Sequence, residues 1–275
     1  MKASNELEKT CRSLIAQSGI DGRTSYFARI IRSPESITHT LQDLTRLRPE
    51  QVRRVLQGFA SERYAEYCER RACGFEFDFR PITFILSQGY KRGLVWQGIP
   101  LGKTCWDISI YQQLLQELRP KTLIEFGTGL GASALFFLDN CKIFGLDTRI
   151  ITIDKNSEDV NPRVFEEALI RFIQGDVKEV ATLLPIAELA SLPHPWLVVE
   201  DCHREIRLIL AHVLPLMVSG DYLVIEDIGT SAGGGLEIHR AIETLPVGTI
   251  LVDTFYTDMF GRNLTCAPDS IFKRM

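Results

Sequence analysis

Two short phrases of this chain run from apolar residues straight into a pair of acids: LVVEDCHR, Leu197 to Arg204, and YLVIEDIG, Tyr222 to Gly229. Asp201, Glu226 and Asp227 are hard oxygen donors. Three carboxylates brought together repel unless one is protonated or a cation sits among them. With waters or substrate oxygens completing an octahedron, such a set suits magnesium, which can bind an acceptor hydroxyl, lower its pKa and aim it. His203, two residues past Asp201, could take up the proton. The competing explanation is helix capping, because Asp201 and Asp227 both precede possible helix starts. The adjacency of Glu226 and Asp227 ahead of a glycine-rich loop favours the metal. Glu200 competes with Asp201 for the inward position.

A third stretch, IEFGTGLGASALFF (Ile124 to Phe137), has the form of a cofactor loop. Gly127, Gly129 and Gly131 allow a tight turn and close approach of the backbone to a ligand, and a helix beginning near Ala132 points its free amides at it. Thr128 and Ser133 complete the candidate set. Gly127, Gly129 and Ala132 also satisfy the dinucleotide pattern G-x-G-x-x-G/A, so a nicotinamide cofactor must be weighed. Glu125, two residues before the first glycine, suits the cationic amino group of S-adenosylmethionine better than a pyrophosphate. Asp154, closing IITID, is placed for ribose hydroxyls and fits either cofactor. Asp176, closing IQGD, can accept from an adenine amino group.

These residues need a scaffold that brings them together. After Lys103 short apolar runs alternate with helical stretches: TLIEF, RIITID, IRFIQGD, WLVVED, YLVIED and TILVDTF. That texture predicts a doubly wound, Rossmann-like α/β domain with a mostly parallel sheet, in which ligands bind beyond the carboxyl ends of the strands. The tail from Gly261 to Met275 could insert antiparallel as a final strand. WDISIYQQLLQEL (Trp106 to Leu118) reads as a helix stopped by Pro120. The expected organisation is a mainly helical lid or oligomerisation region over residues 1–100, with two or three helices between Ser36 and Arg71, and a cofactor-binding domain over 101–275. Phe255 to Asn263 and Trp106 to Tyr111 are candidate pocket walls.

Composition narrows the partners. At 275 residues, 45% hydrophobic and 24% charged, the chain is long enough for one large domain and an appendage. A net charge of −4 gives no basic footprint for nucleic acid, so a small molecule is the expected partner. The seven scattered cysteines lack metal or disulfide spacing and are read as reduced thiols. MKASNELEKTCR has no apolar core of a signal peptide, and LILAHVLPLMV (Leu208 to Val218) is too short to span a bilayer. The expectation is a cytoplasmic protein with no membrane partner.

From about Trp96 onward the chain resembles the cephalosporin hydroxylase / rhamnosyl O-methyltransferase family. The matching pieces are WQGIPLGKTCWDISIYQQLL (Trp96 to Leu115), the glycine loop, ITIDKN, IQGD, LVVEDCHR and PLMVSGDYLVIEDI (Pro215 to Ile228). The resemblance implies a class I methyltransferase fold with a seven-stranded sheet and S-adenosylmethionine as cofactor. It also implies a magnesium ion held by Asp201, Glu226 and Asp227, and homo-oligomeric assembly. The sequence departs from the family's D-S-x-H pattern at Asp201-Cys202-His203. The expected activity is magnesium-assisted O-methyl transfer to a small hydroxyl acceptor of natural-product type, as in antibiotic biosynthesis. A nicotinamide-dependent oxidoreductase and a non-catalytic cofactor-binding scaffold are the alternatives; a carboxylate or amine acceptor is compatible with the same site.

Overall fold

Residues 62–71, 83, 86–227, 240–242 and 244–275 are described by a computed structural model. The chain divides into two compact units, residues 1–62 and 63–275, and the architecture below is that of the second. The helices expected between residues 36 and 71 lie outside the described residues except for a helical turn, Tyr67–Arg71. The aromatic segment 74–84, apart from Thr83, and the glycine-rich loop after Asp227 also lie outside them.

Each apolar run becomes a strand. In chain order these are β1 (Tyr64–Ala65), β2 (Val95–Trp96), β3 (Ile99–Pro100), β4 (Thr122–Phe126), β5 (Arg149–Asp154), β6 (Ile170–Gln174), β7 (Trp196–Glu200), β8 (Tyr222–Ile225), β9 (Ile250–Asp253) and β10 (Ile271–Arg274). The main sheet has the order β1-β9-β10-β8-β7-β4-β5-β6. It is the expected seven strands with the two-residue β1 added at one edge. Strands β4 to β8 pair in parallel, and β10 lies antiparallel to both β8 and β9, as the tail predicted.

Alternate residues of each central strand serve opposite cores. Ile124, Phe126, Ile153, Val198 and Ile225 pack on one face, and Leu123, Ile150, Leu197, Val199 and Val224 on the other. Fully buried parallel strands need apolar residues on both sides, which is why these runs do not alternate with polar residues. On the second face lie α1 (Cys105–Leu118) and α2 (Ala132–Ile143); α3 (Ile206–Val213) covers the first.

Two local features set up the site. Helix α2 is buried on nearly every side, from Ala132 through Leu138; a helix apolar all round needs a second cover. The β2–β3 hairpin contributes to it, with Trp96 edge-on to Phe136 at 5.1 Å and its indole donating to Asp139 at 2.7 Å. Gln97 and Gly98 turn the hairpin with φ of 50° and 84°, the two positive values a tight two-residue turn needs. The chain leaving β3 then carries Leu101, Gly102 and Lys103 toward the strand ends. Helix α1 starts there with a capping box in which Thr104 accepts from the Asp107 amide at 3.1 Å and Asp107 accepts from the Thr104 amide at 3.1 Å. Such a cap stabilises by about 1 kcal/mol.

Candidate functional site

The sheet reverses direction of travel at β4: the chain winds outward through β5 and β6, then returns to place β7 on the other side of β4. That switch point opens a crevice at the carboxyl ends of β4 and β7. A cleft of about 770 Å³ occupies it, lined by Gly127, Thr128, Gly129, Ser133, Asp154 and Asp176 on one side and by Lys103, Asp201 and His203 on the other.

The glycine loop is held by the end of β5. Gly127 donates to the Ile153 carbonyl at 2.9 Å, and Gly129 donates to Asp154 Oδ2 at 2.9 Å. A Cβ on Gly127 would lie 2.7 Å from the Asp201 carbonyl carbon and oxygen, so the glycine is what allows β4 and β7 to end side by side. Asp154 also accepts from the Asn156 amide, and Asp176 from the Lys178 amide, at 3.0 Å each; both carboxylates are thus oriented before any ligand binds.

Two members of the expected cofactor set do not themselves line the cleft. Gly131 is the residue before α2 and faces Val164, whose Cγ2 would be 2.4 Å from an added Cβ. Glu125 is fully buried within β4, where its register partner Thr152 donates to it at 2.6 Å. Burial pushes its carboxyl up to about 7 against the hydrogen bonds of Ser133 and Thr152. Glu125 is the penultimate residue of β4 and is hydrogen-bonded by Ser133, which lines the cleft, so it sits directly beneath the cleft wall. The proposed walls at Phe255 to Asn263 and Trp106 to Tyr111 likewise do not line the cleft.

The acidic half has a more tightly bound arrangement than its sequence implies. The backbone ladder continues past the strands, with the Asp201 amide on the Phe126 carbonyl at 2.8 Å, the Glu226 amide on Glu200 at 2.9 Å and the Asp227 amide on Cys266 at 2.7 Å. Asp201, His203 and Asp227 come together with ligating atoms all within 4.8 Å of one another. His203 Nε2 is 3.4 Å from Asp201 Oδ1 and 3.5 Å from Asp227 Oδ2. Burial pushes both aspartates above the usual carboxylate range; for Asp201 the Glu226 charge adds to this and Lys103 opposes it, while for Asp227 His203 opposes it. Two carboxylates and an imidazole opening on a polar cleft fit a hard divalent cation together with a proton acceptor.

Three details of this half are set by the fold. Glu226 is buried and already partnered: it accepts from Lys103 Nζ at 2.7 Å and from Tyr111 at 2.5 Å. Glu200 is the acid that turns under the loop, where Oε1 takes the amides of Cys202 at 3.0 Å and His203 at 2.8 Å; Asp201 has the inward position. Helix capping by Asp201 is absent, because α3 begins only at Ile206 and its N-cap is Glu205. His203 therefore sits in a loop rather than in a first helical turn, with φ of 55°. Lys103 was not singled out by sequence. Its signal was its place in the segment Trp96 to Leu115.

Comparison with known proteins identifies the family. A family model described as Rhamnosyl O-methyltransferase/CmcI matches residues 88–232, more than half of the chain. The chain belongs to that family. A rhamnosyl O-methyltransferase of Mycobacterium bovis is 31% identical over 161 residues, 54% of this chain and 66% of the relative. One from Mycobacterium leprae is 32% identical over 161 residues, covering 54% and 70%. The chain therefore spans just under two thirds of the first relative's length. Among solved structures, CmcI with Mg-SAM superposes with a TM-score of 0.58 at 21% identity over 85% of this chain and 99% of that one. Apo CmcI gives 0.57 at 20%, over 80% and 94%. These family members share the fold.

Proposed function

We propose that the protein is an S-adenosylmethionine-dependent, magnesium-assisted O-methyltransferase acting on a hydroxyl of a small, natural-product-type acceptor. The observation that carries this reading is the junction of two half-sites in one cleft. A glycine loop with two pre-oriented strand-end acids, Asp154 and Asp176, meets Asp201 and His203 across the Gly127 contact. The bound groups would supply an electrophilic methyl on a sulfonium and a Lewis acid that acidifies the acceptor hydroxyl.

The chain's own residues do the rest. Gly127 and Gly129 leave room for the methionine moiety against the main chain, Asp154 accepts from ribose hydroxyls and Asp176 from the adenine amino group. Asp201 and Asp227 would hold the cation, with Glu226 as the third acid of the family pattern. His203 Nε2 accepts the acceptor's hydroxyl proton, and Asp227 at 3.5 Å balances the imidazolium that results. Holding both reactants in line at near-attack distance supplies much of the rate.

The mycobacterial relatives are named for rhamnosyl O-methyl transfer, and the CmcI neighbour carries Mg-SAM; a sugar hydroxyl is therefore the first acceptor class to test. Of the N-terminal region expected as lid or oligomer contact, residues 63–100 belong to the compact unit of the cleft, which leaves residues 1–62 for that role, in a cytoplasmic homo-oligomer without nucleic-acid or membrane partners. Among the described residues no helix is long and apolar enough to cross a membrane. Thermal-shift measurements with S-adenosylhomocysteine and with NAD test the cofactor, since a ligand that binds only the folded state raises its melting temperature. Transfer of labelled methyl to a panel of glycoside, phenol and carboxylate acceptors, with magnesium or with chelator, tests the reaction. Stabilisation by NAD alone, or turnover indifferent to chelation, refutes the reading.

A further inference from the structure

Lys103 is 2% exposed, yet it is not held by the apolar core. Its Nζ donates to Asp201 Oδ2 at 2.6 Å and to Glu226 Oε2 at 2.7 Å, so one ammonium joins the acid after β7 to the acid after β8. Glu226 is claimed on both oxygens, since Tyr111 donates to Oε1 at 2.5 Å and the Cys266 thiol to Oε2 at 3.2 Å. The position of the lysine is also built. It immediately precedes the capping box of α1, and Asp107 of that box accepts from Thr265 at 2.6 Å and from the Cys266 amide at 3.0 Å. The same residue pair thus anchors the lysine's backbone and the cysteine that meets Glu226.

We propose that Lys103 is a built-in counter-ion that a divalent cation has to displace from Asp201 and Glu226, and that this exchange sets the metal affinity of the site. The proposal deepens the magnesium reading above and rests on it. A magnesium ion needs carboxylate oxygens at about 2.0–2.1 Å. An ion shared by Asp201, Glu226 and Asp227 would have to use the space between the strand ends that the ammonium now fills. The lysine also has somewhere to go. It lines the cleft beside Gly102 and Asp201, so its side chain can swing into the open space without crossing either core. Three carboxylates exceed a divalent cation by one charge, and the displaced ammonium can still balance that charge from the cleft. Without the metal the lysine keeps buried like charges from repelling one another, a situation that is destabilising when a partner is removed.

Lys103→Met keeps the aliphatic stem and removes the charge. Manganese titrations by calorimetry, with S-adenosylhomocysteine present, should show the Kd of the variant lower than that of the native protein by about tenfold or more. The metal-free variant should melt lower than the native protein and gain more from saturating manganese. A folded variant with unchanged or weaker manganese affinity overturns the exchange. If the variant does not fold, a crystal of the native protein soaked in manganese gives the second reading. Lys103 Nζ beyond hydrogen-bond distance of Glu226 Oε2 supports exchange, whereas an intact Lys103–Glu226 pair beside a bound ion overturns it. Failure of manganese to bind either protein refutes the magnesium reading itself and the exchange with it, an outcome distinct from equal binding to both.

Discussion

The cofactor side and the acidic side of the cleft solve the same positioning problem with different materials. At the ends of β4, β5 and β6 the ligand would meet a loop whose positive φ values fall on glycines, 105°, 53° and 88° at Gly127, Gly129 and Gly131. The acids there are steadied by amides one or two residues away or by the adjacent loop. Beyond β7 and β8 the positive φ values fall instead on His203, Glu205 and Asp227, at 55°, 52° and 55°. Each such residue costs about 1–2 kcal/mol that a glycine would avoid. Side chains are needed at these places for charge and proton transfer, and their holders lie far off in the chain: Lys103 is 98 residues from Asp201 and 123 from Glu226. A site that binds with main chain can be local and unstrained. One that works with carboxylates has to be assembled from distant segments and tolerate strain.

The largest test of this contrast is Asp227→Ala. Magnesium-dependent methyl transfer should fall by about a thousandfold, while the thermal shift given by S-adenosylhomocysteine stays nearly unchanged; loss of both would show that the two sides are a single unit. Gly127→Ala attacks the seam between them. Its Cβ would meet backbone atoms of Asp201 and Cys202 at 2.7–2.8 Å at a φ of 105°, so denaturant unfolding should reveal a loss of about 2–4 kcal/mol together with weakened binding on both sides. Asp154→Asn confines the damage to the cofactor side: roughly tenfold weaker S-adenosylhomocysteine binding by calorimetry, with manganese affinity unaltered. A pH dependence probes the strand beneath the cleft. Folding moves the Glu125 carboxyl from an ordinary value of 4.5 to about 7, so the folded state holds a proton that the unfolded chain has released. Its contribution to stability is complete below pH 4.5 and is lost as the pH rises through 7. Glu125→Gln should flatten the stability profile over that window and be neutral or stabilising at pH 8, measured by urea midpoints; an unchanged profile would mean the carboxyl is not the source.

The strand scaffold and the glycine loop could be read from sequence because each is written in contiguous residues. Five-residue apolar runs are best satisfied between two helical layers, and the tail from Gly261 to Met275 was expected to insert antiparallel, as Ile271–Arg274 does between β8 and β9. The convergence of Asp201 and Asp227 followed from strand order alone. What escaped was which oxygen faces which partner. Nothing local to YLVIEDIG says that Glu226 turns to Lys103, since that pairing is created by the hairpin and the capping box 123 residues earlier. The start of α3 was open because Asp201 resembles an N-cap; the left-handed residues His203 and Glu205 delay the helix to Ile206. Glu125 matched the family motif by position, and its burial and its bond from the register partner Thr152 are visible only in the fold.

The place of β10 between β8 and β9 has a consequence for how the protein is made. Of the described strands it is the last to be synthesised, yet it fills an interior slot and its approach supplies the Cys266 carbonyl that receives the Asp227 amide. While the ribosome is still adding those residues, the earlier strands have two open edges facing each other, the kind of surface that neighbouring nascent chains can pair with. Completion of the sheet and closure of the acidic cluster should therefore come as one late event, after β10 has joined the strands made before it.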